Sequence, residues 1–109
     1  MRIDLENKLF EKYPEIFKQK DLSKTETCMC WGICVPDEWY NLIDVLCSNI
    51  QWYIDQNDVS QIEATQVKSK FGRLCFYVNN QNHDYVMALI SFAEDYSQKI
   101  KVNKFQNNL

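Results

Sequence analysis

Glycine and proline are nearly missing from this chain, with two of each among 109 residues. Disordered segments and flexible linkers are rich in both, so disorder is expected only near the ends. No apolar run approaches the ~20 residues that cross a bilayer. The opening stretch MRIDLENKLFEKYPEIF carries acids where an export signal has its apolar core, and an intracellular protein is the expectation. Gly32 and Gly72 are too far apart to build a glycine-rich phosphate loop. Basic residues are missing from one long stretch: Trp31 to Thr65 holds six acids and no Lys or Arg. Residues before it balance six acids with six bases, and Gln66 to Leu109 carries six bases against three acids. The net charge of -3 therefore hides an acidic middle and a basic final third.

What is present suits one small α+β domain. Hydrophobic residues at 46% and charged residues at 25% lie in the globular range. The domain divides into an N-terminal helix and connector (1–27), an α+β core (28–100) and a fraying tail (101–109). Residues 2–13 predict a helix with Ile3, Leu5, Leu9, Phe10 and Tyr13 on one side, Leu5 off its centre. Pro14 ends it or opens a short turn through Ile16 and Phe17. Lys18–Thr27 reads as an exposed polar connector. Cys28–Val35 alternates with period two, predicting a strand with Met29, Trp31, Ile33 and Val35 on one face and Cys28, Cys30, Gly32 and Cys34 on the other.

Pro36 ends that strand, and Asp37 can cap the amphipathic helix that follows, about Asp37 to Gln56. Its apolar side holds Trp39, Leu42, Ile43, Leu46, Cys47, Ile50, Tyr53 and Ile54. Asp37, Asn41, Asp44, Ser48, Gln51 and Asp55 line the other side, with Trp52 at a boundary or exposed. Ile62–Ser69 and Arg73–Val78 predict a β-hairpin turning at Lys70-Phe71-Gly72. A last helix, about His83 to Lys99, sets Val86, Leu89, Ile90, Ala93 and Tyr96 on one side. The expected architecture is helix–strand–long helix–hairpin–helix, a three-stranded sheet packed by helices.

Five cysteines raise the question of metal or disulfides. Cys28-x-Cys30-x3-Cys34 lacks the C-x2-C knuckle of structural zinc. On a strand its outer thiols would stand roughly 20 Å apart, too far to share an ion. Reduced, buried small hydrophobes are expected, with no metal. His83 beside Asp84 reads as a helix-start residue rather than a general base. Paired acids such as Glu94/Asp95 diverge on a helix, so no catalytic set emerges. The bases Lys68, Lys70 and Arg73, interleaved with Phe71, Phe76 and Tyr77, suit a phosphate backbone with stacked bases. They equally suit a solvated edge whose lysines discourage strand-to-strand association. The acids Asp37, Asp44 and Asp55 suit a basic protein groove, or simply the wet side of a helix.

QVKSKFGRLCFYV (Gln66–Val78), KYPEIF (Lys12–Phe17), CMCWG (Cys28–Gly32) and WYNLIDVLC (Trp39–Cys47) resemble a family of small uncharacterised phage proteins, over most of the chain from Lys12 to Ser97. Members of that family often carry a C-x2-C-G knuckle after the last helix. Here Ser97 to Lys104 reads SQKIKVNK, without cysteine, so a zinc end is missing. The resemblance implies a phage inhibitor of host defence, with an anti-CRISPR protein as the leading expectation, working in the host cytoplasm without catalysis or cofactor. Its partner would be a host CRISPR effector or its guide RNA complex. Such effectors hold long basic channels for nucleic acid. The acidic face of Asp37, Asp44 and Asp55, with Trp52, would fill such a channel while Lys68, Lys70, Phe71 and Arg73 contact RNA. The alternative is a phage nucleic-acid-binding accessory protein that works through the same hairpin.

Overall fold

In the computed structural model, which describes residues 1–103, the first element is α1 (Ile3–Lys12). Asp4 and Glu6 sit in its first turn, where the positive end of the helix dipole favours acids. Its apolar side centres on Leu9, which is fully buried, with Phe10 and Tyr13 packed against the core. Ile3, expected on that side, is exposed instead, and Leu5 is half-buried. Beyond Pro14 the chain turns Ile16 and Phe17 inward and makes a short 3-10 turn over Lys18–Asp21. The connector is mostly exposed, but it ends on a buried Thr27 whose hydroxyl donates to Thr65 O at 3.2 Å.

The strand expected over Cys28–Val35 is largely absent. Met29–Trp31 winds into a 3-10 turn, with Trp31 N donating to Cys28 O and Gly32 N to Met29 O. Gly32 then takes φ 78°, ψ -159°, a region that only glycine enters cheaply. It is also pressed by Glu6: a Cβ there would sit 2.7 Å from that carboxylate. Only Ile33–Cys34 remains extended, as β1. The alternation therefore fails at Trp31, which swings to 66% exposure while Met29, Ile33 and Val35 stay buried.

A 3-10 turn (Asp37–Trp39) leads into α2 (Tyr40–Asn57). Asp37 does not cap it, because its carboxylate accepts the backbone N–H of Arg2 at 2.7 Å, at the start of α1. Ile43, Leu46, Cys47, Ile50 and Ile54 are the buried stripe of α2, and Asp58 stops it in a left-handed conformation at φ 52°. β2 (Ala64–Lys70) and β3 (Arg73–Val78) form the hairpin. α3 (Asp84–Ser97) ends the fold. The sheet order is β1-β2-β3, with β1 parallel to β2 and β2 antiparallel to β3. On α3 the buried positions are Val86, Ile90, Ala93 and Ser97, so Ser97 takes the inward place expected for Tyr96. Of the tail expected to fray, 104–109 lies outside the described residues, and Asn103 N donates to Glu38.

The sheet edges are closed by helix side chains. On β1, Ile33 N donates to the Glu6 carboxylate at 3.0 Å. On β3, Leu74 N donates to Ser97 Oγ and Phe76 N to Glu94 Oε2, both at 2.9 Å. Each N–H would otherwise offer itself to a foreign strand or go unpaired.

Two expectations follow for stability. Leu46→Ala deletes buried methyl groups and leaves a cavity, and should cost about 2–5 kcal/mol in denaturant melts. Asn41→Ala, on the exposed side of the same helix, should stay within about 0.5 kcal/mol. Ser97→Ala removes the hydroxyl that accepts from Leu74 N and should cost about 1–3 kcal/mol. Hydrogen exchange should meanwhile speed up at Leu74 more than at the β2–β3 ladder; equal protection in both proteins would mean that Ser97 does not seal this edge.

Candidate functional site

Strand pleating sorts the hairpin residues between two faces. Val67 lies opposite Phe76 and Ile33, all buried, so that face belongs to the core. The partner pairs Gln66–Tyr77, Lys68–Cys75 and Lys70–Arg73 therefore point the other way, with Cys34 beside Lys68 on β1. Lys68, Lys70 and Arg73 thus share one face, as a common phosphate contact needs. They differ in availability. Arg73 is drawn to α3 by Asp95 at 3.0 Å and Glu94 at 3.6 Å. Lys68 and Lys70 pair with no carboxylate among the described residues. Phe76, expected among the interleaved aromatics, is buried on the core side and cannot stack on a base. Tyr77 is partly exposed on the same face as the lysines. Gln66 joins it there; the period-two spacing 66, 68, 70 was the signal for its placement.

The hairpin tip is unusual for its residue type. Lys70 pairs with Arg73, so the loop is just Phe71-Gly72, with φ of 54° and 78°. Two-residue turns with both φ positive fit the hairpin twist, and Asn-Gly or Gly-Gly fills them most easily. Phenylalanine there costs backbone energy on the order of 1 kcal/mol, yet its ring is 95% exposed and recovers none of that by burial. At the other end of β2, Trp31 is held out by the 3-10 turn that feeds β1.

The acidic face of α2 is changed by tertiary structure. α1 lies along it, and bases from α1 meet acids that no base of their own segment could reach. Just before α1, Arg2 donates its backbone N–H to Asp37 at 2.7 Å and sets its guanidinium 4.0 Å from the same carboxylate. Lys12 Nζ stands 2.8 Å from Asp44, and the Tyr13 hydroxyl donates to the same carboxylate. Burial alone would push the Asp44 carboxyl up, but the Lys12 and Tyr13 hydrogen bonds prevail and hold it below the usual range. Burial and the same carboxylate push the Tyr13 phenol well up. Asp55 remains exposed, bonded among the described residues to the Gln51 amide, and Trp52 is exposed beside it. The acidic stripe is therefore not one surface: Asp37 and Asp44 serve the α1–α2 contact, and Asp55 with Trp52 faces solvent.

The cysteines are free thiols. Cys47 and Cys75 are buried as expected, but Cys28 is exposed at the start of the 3-10 turn and Cys34 on the open face of β1. Burial pushes the Cys47 thiol far up, so it stays protonated. Among the described residues no group of three His, Cys, Asp or Glu is placed to hold a metal ion, and no helix is long and apolar enough to cross a membrane. The ring of His83 stands edge-on to Tyr53, 6.0 Å between centroids. The fold and this site define a small α+β domain with a cationic open sheet face. Compared with family models, curated proteins and solved structures, the chain finds no match in any of the three.

The pH dependence of stability tests the Asp44 contact. A carboxyl depressed on folding stabilises above its unfolded value and loses that contribution as pH falls through its folded value. Wild type should exceed Asp44→Asn in melting temperature at neutral pH, and the gap should close as pH drops below the ordinary 3.8. A gap that persists at the lowest pH would show that Asp44 acts through packing instead.

Proposed function

We propose that this chain is a phage-encoded inhibitor of host defence, an anti-CRISPR protein that binds a CRISPR effector or its guide RNA complex by contact rather than by turnover, in the host cytoplasm. The resemblance to phage proteins supports the class. The hairpin tip supports the mode, and it is the observation that carries the proposal: a fully exposed phenylalanine kept in a backbone conformation that disfavours it. Strain of this kind gathers where function needs it. Beside that ring, Lys70 and then Lys68, which pair with no carboxylate among the described residues, supply positive charge to meet phosphates, and Tyr77, farther along the same face, supplies a further ring for a base. The working surface in this reading is the open sheet face and its tip. Filling a basic channel with Asp37 and Asp44 is less favoured, since α1 already spends their charge.

The second reading, a nucleic-acid-binding accessory protein of the phage, uses the same face without an effector. The two separate by comparing affinity for an effector–guide RNA complex with affinity for the same guide RNA alone, at two salt concentrations. Inhibition of defence predicts much tighter binding to the complex; equal affinities favour the accessory protein. In both, Lys68→Glu/Lys70→Glu should weaken binding and flatten its salt dependence, because fewer counterions are released. Phe71→Asn should raise folding stability by up to about 1 kcal/mol while lowering affinity. Unchanged binding in both variants would exclude the sheet face.

A further inference from the structure

α3 carries two apolar seams. The first, Val86, Ile90, Ala93 and Ser97, is spaced four, three, four and faces the core. One position earlier, Tyr85, Leu89, Phe92 and Tyr96 repeat that spacing outside the core. Phe92 is 71% exposed, Tyr96 51% and Tyr85 43%, while Leu89 is partly buried against the core. The rings of Phe92 and Tyr96 lie parallel, 5° between planes and 6.3 Å between centroids. At its start Tyr85 stacks on Tyr53 of α2 at 4.8 Å, so the seam opens where the two helices meet. α2 adds an exposed Val45 and Trp52, two turns apart on one side. A four-three-four apolar row on an exposed helix is the geometry with which one helix receives another.

The charge around this seam selects the occupant. Neither Tyr40–Asn57 nor Asp84–Ser97 contains Lys or Arg. Asp44 is spent on Lys12, and Glu94 and Asp95 on Arg73. Asp55 and Asp84 pair with no cation among the described residues. Asp84 stands one position before Tyr85 at the start of the seam, while Asp55 lies on the side of α2 turned away from Tyr53 and from α3. A second copy of the chain would bring the same acids to the same face, where like charges repel. We propose that the outer seam of α3, with α2 beside it, is the docking site for a basic amphipathic helix of a partner protein. That helix sets its apolar row on Tyr85, Leu89, Phe92 and Tyr96 and its lysines or arginines toward Asp84 and the base-free surfaces of the two helices. The site uses different elements from the sheet face, so it stands whether or not that face binds RNA.

The test titrates the full chain against a fluorescent peptide of about 18 residues, five helical turns, with leucines spaced four-three-four and lysines elsewhere. Two controls replace its lysines with glutamates, or its leucines with serines. The lysine–leucine peptide should bind about tenfold or more tighter than either control, and Phe92→Ser should weaken it by about tenfold. Asp84→Asn should weaken it several-fold, and Asp55→Asn, on the far side of α2, should change it much less. Phe92 is exposed, so its replacement should keep the fold; Ala88→Lys, at an exposed position on the same side, serves if melting curves show otherwise. Equal binding of the lysine and glutamate peptides, or wild-type affinity in the folded α3 variants, overturns the proposal. A concentration-dependent dimer in sedimentation that Phe92→Ser abolishes also overturns it, assigning the face to a second copy.

Discussion

A three-stranded sheet whose first strand is two residues long cannot satisfy its own edges, and the fold depends on helices doing it instead. Glu6 of α1 accepts from Ile33, and Ser97 and Glu94 of α3 accept from Leu74 and Phe76. Unpaired buried N–H groups cost more than hydrogen bonds gain, so these acceptors fix where both helices lie. Once α1 is set by Glu6, its ends meet α2: Asp37 takes the Arg2 N–H, and Asp44 takes Lys12 and Tyr13. Once α3 is set by Glu94, that residue and Asp95 draw Arg73 away from the open sheet face.

The same arrangement decides which surfaces are left for partners. Strand addition is blocked at the capped N–H groups of both edges, so recognition falls to faces and to the hairpin tip. One open face of the sheet keeps Lys68, Lys70, Gln66 and Tyr77, ending in the exposed Phe71. The outer seam of α3 keeps three exposed aromatic rings with acids as the only charged residues of its helix. A cationic face and an apolar seam on base-free helices thus give one small domain two surfaces of opposite chemistry.

Much of the architecture was legible because it follows local rules. The 3.6-residue stripe of Ile43, Leu46, Ile50 and Ile54 and the period-two alternation of Leu74, Phe76 and Val78 state helix and strand without reference to anything distant. Gly72 marked the hairpin turn for the same reason. Misreadings came where a distant residue outweighed local pattern. Cys28–Val35 alternates like a strand, but Glu6 reaches Gly32 and Ile33 from α1, and the segment before Gly32 turns outward with Trp31. Tyr96 fits an amphipathic stripe as well as Ser97 does, and the need of Leu74 N for an acceptor brings Ser97 inside.

The candidate site divides in the same way. The sequence by itself determined that Lys68 and Lys70 share a face, since residues two apart on a strand always do. It likewise determined the long helix, the hairpin and the acidic character of the chain's middle. Which charges remain available was decided only by tertiary structure. Arg73, Asp44 and Asp37 are paired across 22, 32 and 35 residues of chain, while Lys68, Lys70 and Asp55 have no ion pair among the described residues. Charge is a property of a residue, but its availability depends on what the fold sets within a few ångströms of it, and those neighbours lie far away along the chain.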